Sequence, residues 1–248
     1  MDIASSVLAR PRVRAFVALA LVVLAWFIVA PHLPRVSLWW AIAIVSAAVM
    51  PATLGLVYLA LPLWSRRWAV VAVVAFALLA LVFSLLDLGL ESNFAKLFAA
   101  VFAGWAFLIL FEQLSWVVLV AFVIPAVDAF SVWRGPTKAI TSHHFEVYTA
   151  VAIAFLVPGG GAAYLGPPDI LFYALFLAAA ARWQLRVFWT WFGMTFMYGF
   201  TVVLAQAVNV DGLPALPFLS FGFLVVNADL LWRAIRPSAD SSSSPASS

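Results

Sequence analysis

Leu114–Val132 reads LSWVVLVAFVIPAVDAFSV. The run is apolar and about the length that a bilayer core of about 30 Å requires of a helix, roughly 20 residues. Yet Asp128 stands inside it. A carboxylate in hydrocarbon costs about 2.5–3.5 kcal/mol on insertion scales, so an intramembrane Asp marks a functional site by default. A second run, Asp169–Ala181 (DILFYALFLAAAA), opens on another aspartate just after Leu165-Gly166-Pro167-Pro168. Two such residues on neighbouring apolar runs suggest a pair.

Composition places both runs in a membrane. Of 248 residues, 67% are hydrophobic and 9% charged, with mean hydropathy +1.12. Soluble domains carry about 25% charge, so the chain reads as an all-α polytopic membrane protein whose lasting partner is the lipid bilayer. The formal net charge of +3 and pI ≈ 9.6 reflect Arg at helix ends. No basic tract is long enough to follow a phosphate backbone, so no nucleic-acid partner is expected. Cysteine is absent, which excludes disulfides, thiol nucleophiles and Cys-ligated metal. Arg10, Arg12 and Arg14 precede an apolar run to Ala30. A signal peptide begins similarly, but no small-residue cleavage site follows, so an uncleaved first span is expected.

Eight segments are long enough to cross: Ala15–Ala30, Val36–Leu61, Ala69–Leu88, Phe94–Phe111, Leu114–Trp133, Ala162–Ala181, Val187–Val208 and Pro214–Trp232. Each must satisfy its own backbone in lipid, so each should be a helix. Tryptophans such as Trp39, Trp40, Trp64, Trp68, Trp116 and Trp183 cluster near the segment ends, as an interfacial belt does. The chain divides into N-terminal scaffold spans (1–111), a half carrying both aspartates (112–236) and a Ser-rich tail (237–248) expected to be disordered.

Phe145–Val157 is a ninth apolar stretch, short for a span and followed by Pro158 and three glycines. Runs of about 10–14 apolar residues are more often re-entrant, interfacial or buried. The distribution of Lys and Arg arbitrates. If the stretch does not cross, Arg10, Arg12, Arg14, Arg66, Arg67, Arg182, Arg186, Arg233 and Arg236 are cytoplasmic, against Arg35, Lys96, Arg134 and Lys138 outside. If it does cross, the last four of the first group move outside and the bias reverses. Eight spans, with both termini in the cytoplasm of a prokaryotic cell, is the preferred topology. It also places Asp128 and Asp169 at the outer ends of consecutive helices, where they can meet. Nine spans would set them on opposite sides.

Two carboxylates sharing a site hold one proton between them and titrate as a unit. One can then act as general base on water while the other, protonated, polarises a peptide carbonyl. This chemistry needs neither metal nor cofactor, and none is expected. On spacing alone a plainer alternative stays open: Asp128 pairs with Arg134, and Asp169 is the N-cap of the helix that Pro167 and Pro168 begin.

Three motifs, in order, carry a family resemblance. Pro125-Ala126-Val127-Asp128-Ala129-Phe130-Ser131-Val132-Trp133-Arg134-Gly135-Pro136, preceded by Glu112-Gln113-Leu114-Ser115-Trp116, resembles the first catalytic helix of the presenilin and signal-peptide-peptidase family. Leu165-Gly166-Pro167-Pro168-Asp169-Ile170-Leu171-Phe172-Tyr173 is similar to that family's Gly-x-Gly-Asp motif. Leu213-Pro214-Ala215-Leu216-Pro217 matches its Pro-Ala-Leu motif, opening the last span. The matched region runs from about Glu112 to Trp232. Two positions depart from the pattern: Val127 replaces a tyrosine, and Pro168 replaces a glycine. Type IV prepilin peptidases share the Gly-x-Gly-Asp motif, but Pro-Ala-Leu favours the presenilin-like group.

The resemblance implies an intramembrane aspartic endopeptidase acting on transmembrane proteins or signal peptides. Asp128 and Asp169 would be its catalytic dyad. Gly166 would shape the backbone beside them, and Pro214, Ala215 and Leu216 would position an unwound substrate. Phe145–Val157 would be the strand partner that an extended substrate needs, or else a plain interfacial loop. Two other classes are alternatives: a catalytically inactive presenilin-like protein that binds membrane helices, and a small proton-coupled transporter. Remaining polar residues read simply. His143 and His144, near Glu146, face water rather than a metal. Asp229, four residues before Arg233, makes a local ion pair.

Overall fold

The computed structural model describes residues 11–64, 68–134, 145–210 and 213–235. Within these, nine helices and one hairpin follow in order. They are α1 (Pro11–Val29), α2 (Leu38–Leu63), α3 (Ala69–Leu85), α4 (Gly89–Leu108), α5 (Leu114–Arg134), α6 (Phe145–Val151), β1 (Ile153–Leu156), β2 (Ala162–Leu165), α7 (Pro167–Arg182), α8 (Val187–Ala207) and α9 (Leu216–Ile235). His143, His144, Arg66, Arg67 and the tail lie outside the described residues.

Five helices are long and apolar enough to cross a membrane: α1 with its terminal turn, α2, Leu114–Ser131 of α5, α8, and Leu216–Ala234 of α9. Their outward faces display large apolar side chains such as Leu21, Phe122 and Phe196. A water-soluble surface does not tolerate apolar area on this scale, whereas lipid does. The chain is therefore a helical, membrane-embedded protein. Of the eight expected spans, α3 has 17 residues, α4 carries Glu91 and Lys96, and α7 has only 16 residues. At 1.5 Å per residue α7 is about 24 Å long, shorter than a bilayer core.

α7 sits inside the bundle. Tyr173 through Ala180 are all buried, as expected of a helix apolar on every side. Small residues let its neighbours approach. Gly104 of α4 lies against the Leu171 carbonyl of α7, where a side chain would strike backbone. Gly193 of α8 and Gly222 of α9 face each other likewise: a Cβ on Gly222 would stand 2.8 Å from the Gly193 oxygen. Without a hydrophobic drive between helices in lipid, such close backbone packing is a main source of association. Three helices end on a left-handed residue, Asp87 after α3, Gln184 after α7 and Asn209 after α8. The next amide in each case reaches back to close the last turn: Leu88 to Phe83, Leu185 to Ala180 and Val210 to Ala205.

The hairpin corrects one expectation. Ala162–Ala181 is not one helix: Ala162–Leu165 is β2, and the helix starts at Pro167. Phe145–Val157, expected not to cross, divides into the seven-residue α6 and β1. The strands pair antiparallel, from Ile153 with Leu165 to Leu156 with Ala162. Gly159 and Gly160 turn the chain at φ of 85° and 86°, angles that cost glycine nothing. The fold is thus helical with one two-stranded ribbon rather than purely α.

α4 and α1 hold this ribbon. The Asn93 amide, near the start of α4, donates from Nδ2 to the Ala154 carbonyl at 3.0 Å and accepts the Ala154 N–H at 2.7 Å. It therefore satisfies the outer edge of β1. Trp26 Nε1 donates to the Leu156 carbonyl, and the Gly159 N–H donates to Ala30. Asn93→Leu leaves two backbone groups of Ala154 without partners. Such a loss costs about 1–3 kcal/mol, and we expect a matching fall in unfolding free energy in micelles, with faster hydrogen exchange at Ala154.

Candidate functional site

β2 ends at Leu165, and one residue later Gly166 caps α7. Gly166 has φ −68° and ψ 153°, the extended conformation that a residue before proline prefers. Pro167 and Pro168 occupy the first two helical positions, where an amide hydrogen has no helical acceptor, so proline removes nothing there. Asp169 is the third helical residue. It is not the N-cap: its Oδ2 reaches back and accepts the Gly166 N–H at 2.9 Å. A Cβ on Gly166 would stand 3.3 Å from that same Oδ2, so glycine leaves room for the carboxylate. The Tyr198 hydroxyl of α8 donates to the Asp169 backbone carbonyl at 2.6 Å, and the ring stacks on Tyr173.

Asp128 lies on α5, three residues after Pro125, whose missing N–H opens the helix ladder. Its Oδ2 accepts the Leu216 N–H at 3.0 Å. Leu216 is the first residue of α9, and its amide is one of the donors a helix start leaves free. Asp128 therefore caps another helix from across the bundle, with its negative charge at the positive end of the dipole. Pro214, Ala215 and Leu216 are all buried beside it. The side chain of Arg134, the alternative partner of Asp128, lies outside the described residues.

α5 touches α7, and Asp128 is close enough for its charge to act on Asp169. Both residues are half-buried. The starts of α4, α7 and α9, the end of α5 and the ribbon all meet at this end of the bundle. Arginines gather at the opposite end: Arg12 donates to the Tyr58 and Leu59 carbonyls, Arg182 to Leu108, and Arg186 to Val226. Asp229 pairs with Arg186 at 2.8 Å, not with Arg233 as expected, because the loop before α8 delivers the guanidinium in bidentate geometry.

Gly166 thus bonds to Asp169, Leu216 bonds to Asp128, and the two carboxylates lie within electrostatic reach of each other. Asn93, Tyr148 and Tyr198 were not anticipated. The polar Glu91-Ser92-Asn93 cluster opening an apolar run was the available signal for the first. Among the described residues no group of His, Cys, Asp and Glu is arranged to hold a metal ion. The fold and site define a helical membrane protein with a carboxylate pair set between three helix ends. Comparisons with protein-family models, with curated proteins and with solved structures found no match to this chain.

Proposed function

We propose that the protein is an intramembrane aspartic endopeptidase, related to presenilin and signal peptide peptidase, that hydrolyses peptide bonds in transmembrane segments. The observation that carries the reading is the juxtaposition of Asp128 and Asp169, each oriented by a backbone amide and, among the described residues, neither paired with a cation. The ionised carboxylate takes a proton from water as the water oxygen attacks the scissile carbonyl carbon. The protonated partner gives its proton to the carbonyl oxygen. Collapse of the tetrahedral intermediate returns a proton to the departing nitrogen. The arginine-rich end, placed inside, supports cytoplasmic termini and is consistent with the eight-span topology, which puts the pair toward the outer half of the membrane.

A helical substrate must unwind before water can attack, and an extended segment needs a strand to pair with. β1 was the expected partner, but Asn93 already occupies its outer edge. The outer edge of β2 takes that role, with Ala162, Ala163 and Tyr164 at least partly exposed along it. A substrate added there runs directly past Gly166 to Asp169, with Pro214, Ala215 and Leu216 beside Asp128. The test is cleavage of a model transmembrane substrate in proteoliposomes. Wild type is expected to cleave it, and Asp128→Ala and Asp169→Ala are expected not to; activity surviving either change refutes the mechanism.

A further inference from the structure

Tyr148 is the polar side chain near the carboxylate pair to which nothing above gives a role. It belongs to α6, outside the crossing helices, and is half-buried. Its ring meets Tyr164 of β2 edge-on, with centroids 6.5 Å apart and planes at 65°. Tyr164 stands two residues before Gly166, so this contact carries Tyr148 to the start of α7. α6 is held from α4, where Lys96 Nζ donates to the Ala150 carbonyl at 3.2 Å and Asn93 fixes the strand that follows. The ring thus stands on the ribbon side of the site, on a segment anchored after Tyr148 by α4, within reach of the charges of Asp169 and Asp128.

We infer that Tyr148 is the third polar member of the site, its hydroxyl donating a hydrogen bond to the scissile carbonyl oxygen as that oxygen gains charge. The inference rests on the peptidase reading. A substrate strand on the open edge of β2 passes beneath the Tyr148 ring before reaching the carboxylates, so its carbonyl enters between phenol and pair. Burial, and then the charges of Asp169 and Asp128, push the phenol up to about 12. It therefore stays a neutral donor throughout the working range. A donor aimed at developing charge in a water-poor site contributes about 10²–10³ in kcat.

Tyr148→Phe keeps the ring and its contact with Tyr164 and removes only the hydroxyl. In the full-length reconstituted protein we expect kcat to fall about 100-fold, with KM within about twofold. A role in packing alone predicts wild-type kcat for this variant, and that result overturns the inference while leaving the peptidase reading intact. A wild-type protein that cleaves nothing overturns both. Geometry is tested separately, since the chain has no cysteine of its own. Tyr148→Cys with Asp128→Cys should cross-link through a short bis-maleimide; failure to link, when Asn93→Cys with Ala154→Cys does link, also overturns it.

Discussion

Asp128→Asn and Asp169→Asn will each reduce kcat below about one-thousandth of wild type, and the double variant will be no worse than either alone. Asparagine is the informative replacement. Its side-chain oxygen still accepts from the Leu216 N–H at position 128 or the Gly166 N–H at position 169, so the local structure survives. As a helix cap it performs about as well as aspartate. A purely structural role for these residues therefore predicts activity close to wild type. Catalysis predicts collapse, because an amide neither takes a proton from water nor shares one with its partner. Non-additivity follows from the same cause: one proton belongs to the pair, so removing either carboxylate disables the whole unit. Rates from the two single variants and the double variant, measured on one substrate in proteoliposomes, check both parts. A double variant much slower than the singles would mean that the residues act separately.

What the sequence revealed depended on whether the deciding interaction was local. Helix bodies were legible because lipid leaves the backbone little other choice: most of the apolar segments are helices, five of them long and apolar enough to cross, while Ala162–Ala181 is part strand. The approach of Asp128 to Asp169 was suggested by the charge bias, which favoured a topology with both residues on one side. The ribbon was not. Ala162–Leu165 continues the apolar run of α7 without a break, and its pairing with Ile153–Leu156 is a non-local interaction that periodicity over four residues does not announce. The Pro158-Gly159-Gly160-Gly161 stretch was the available turn signal. The Asp229 partner was missed for a similar reason. The i, i+4 rule sees only the same helix, while Arg186 comes from another part of the chain. Asn93 reads as a costly polar residue opening a span; only the ribbon shows that its amide replaces a missing strand.

Leu216→Pro will lower kcat about 10- to 100-fold while leaving the bundle folded. The Leu216 N–H donates to Asp128, and hydrogen bonds to charged groups are worth about 1.5–3 kcal/mol, which converts to that range. Proline deletes this one donor. It suits the position otherwise, because Leu216 opens α9 and proline is favoured at a first helical residue. The variant would also begin α9 with two consecutive prolines, Pro217 being the second, which is how Pro167 and Pro168 begin α7. Leu216 is buried, so the substitution removes apolar contact as well as the donor. Leu216→Ala separates the two effects: it removes more side chain than proline does but keeps the N–H. If the amide orients Asp128, Leu216→Ala retains most of the wild-type kcat and Leu216→Pro does not. If the Pro-Ala-Leu segment acts only through side-chain packing, the order reverses, with alanine the more damaging change. Thermal unfolding of both variants in micelles distinguishes a loss of catalysis from a loss of fold. A proline variant with a native midpoint and reduced kcat would place the function of this segment in its backbone.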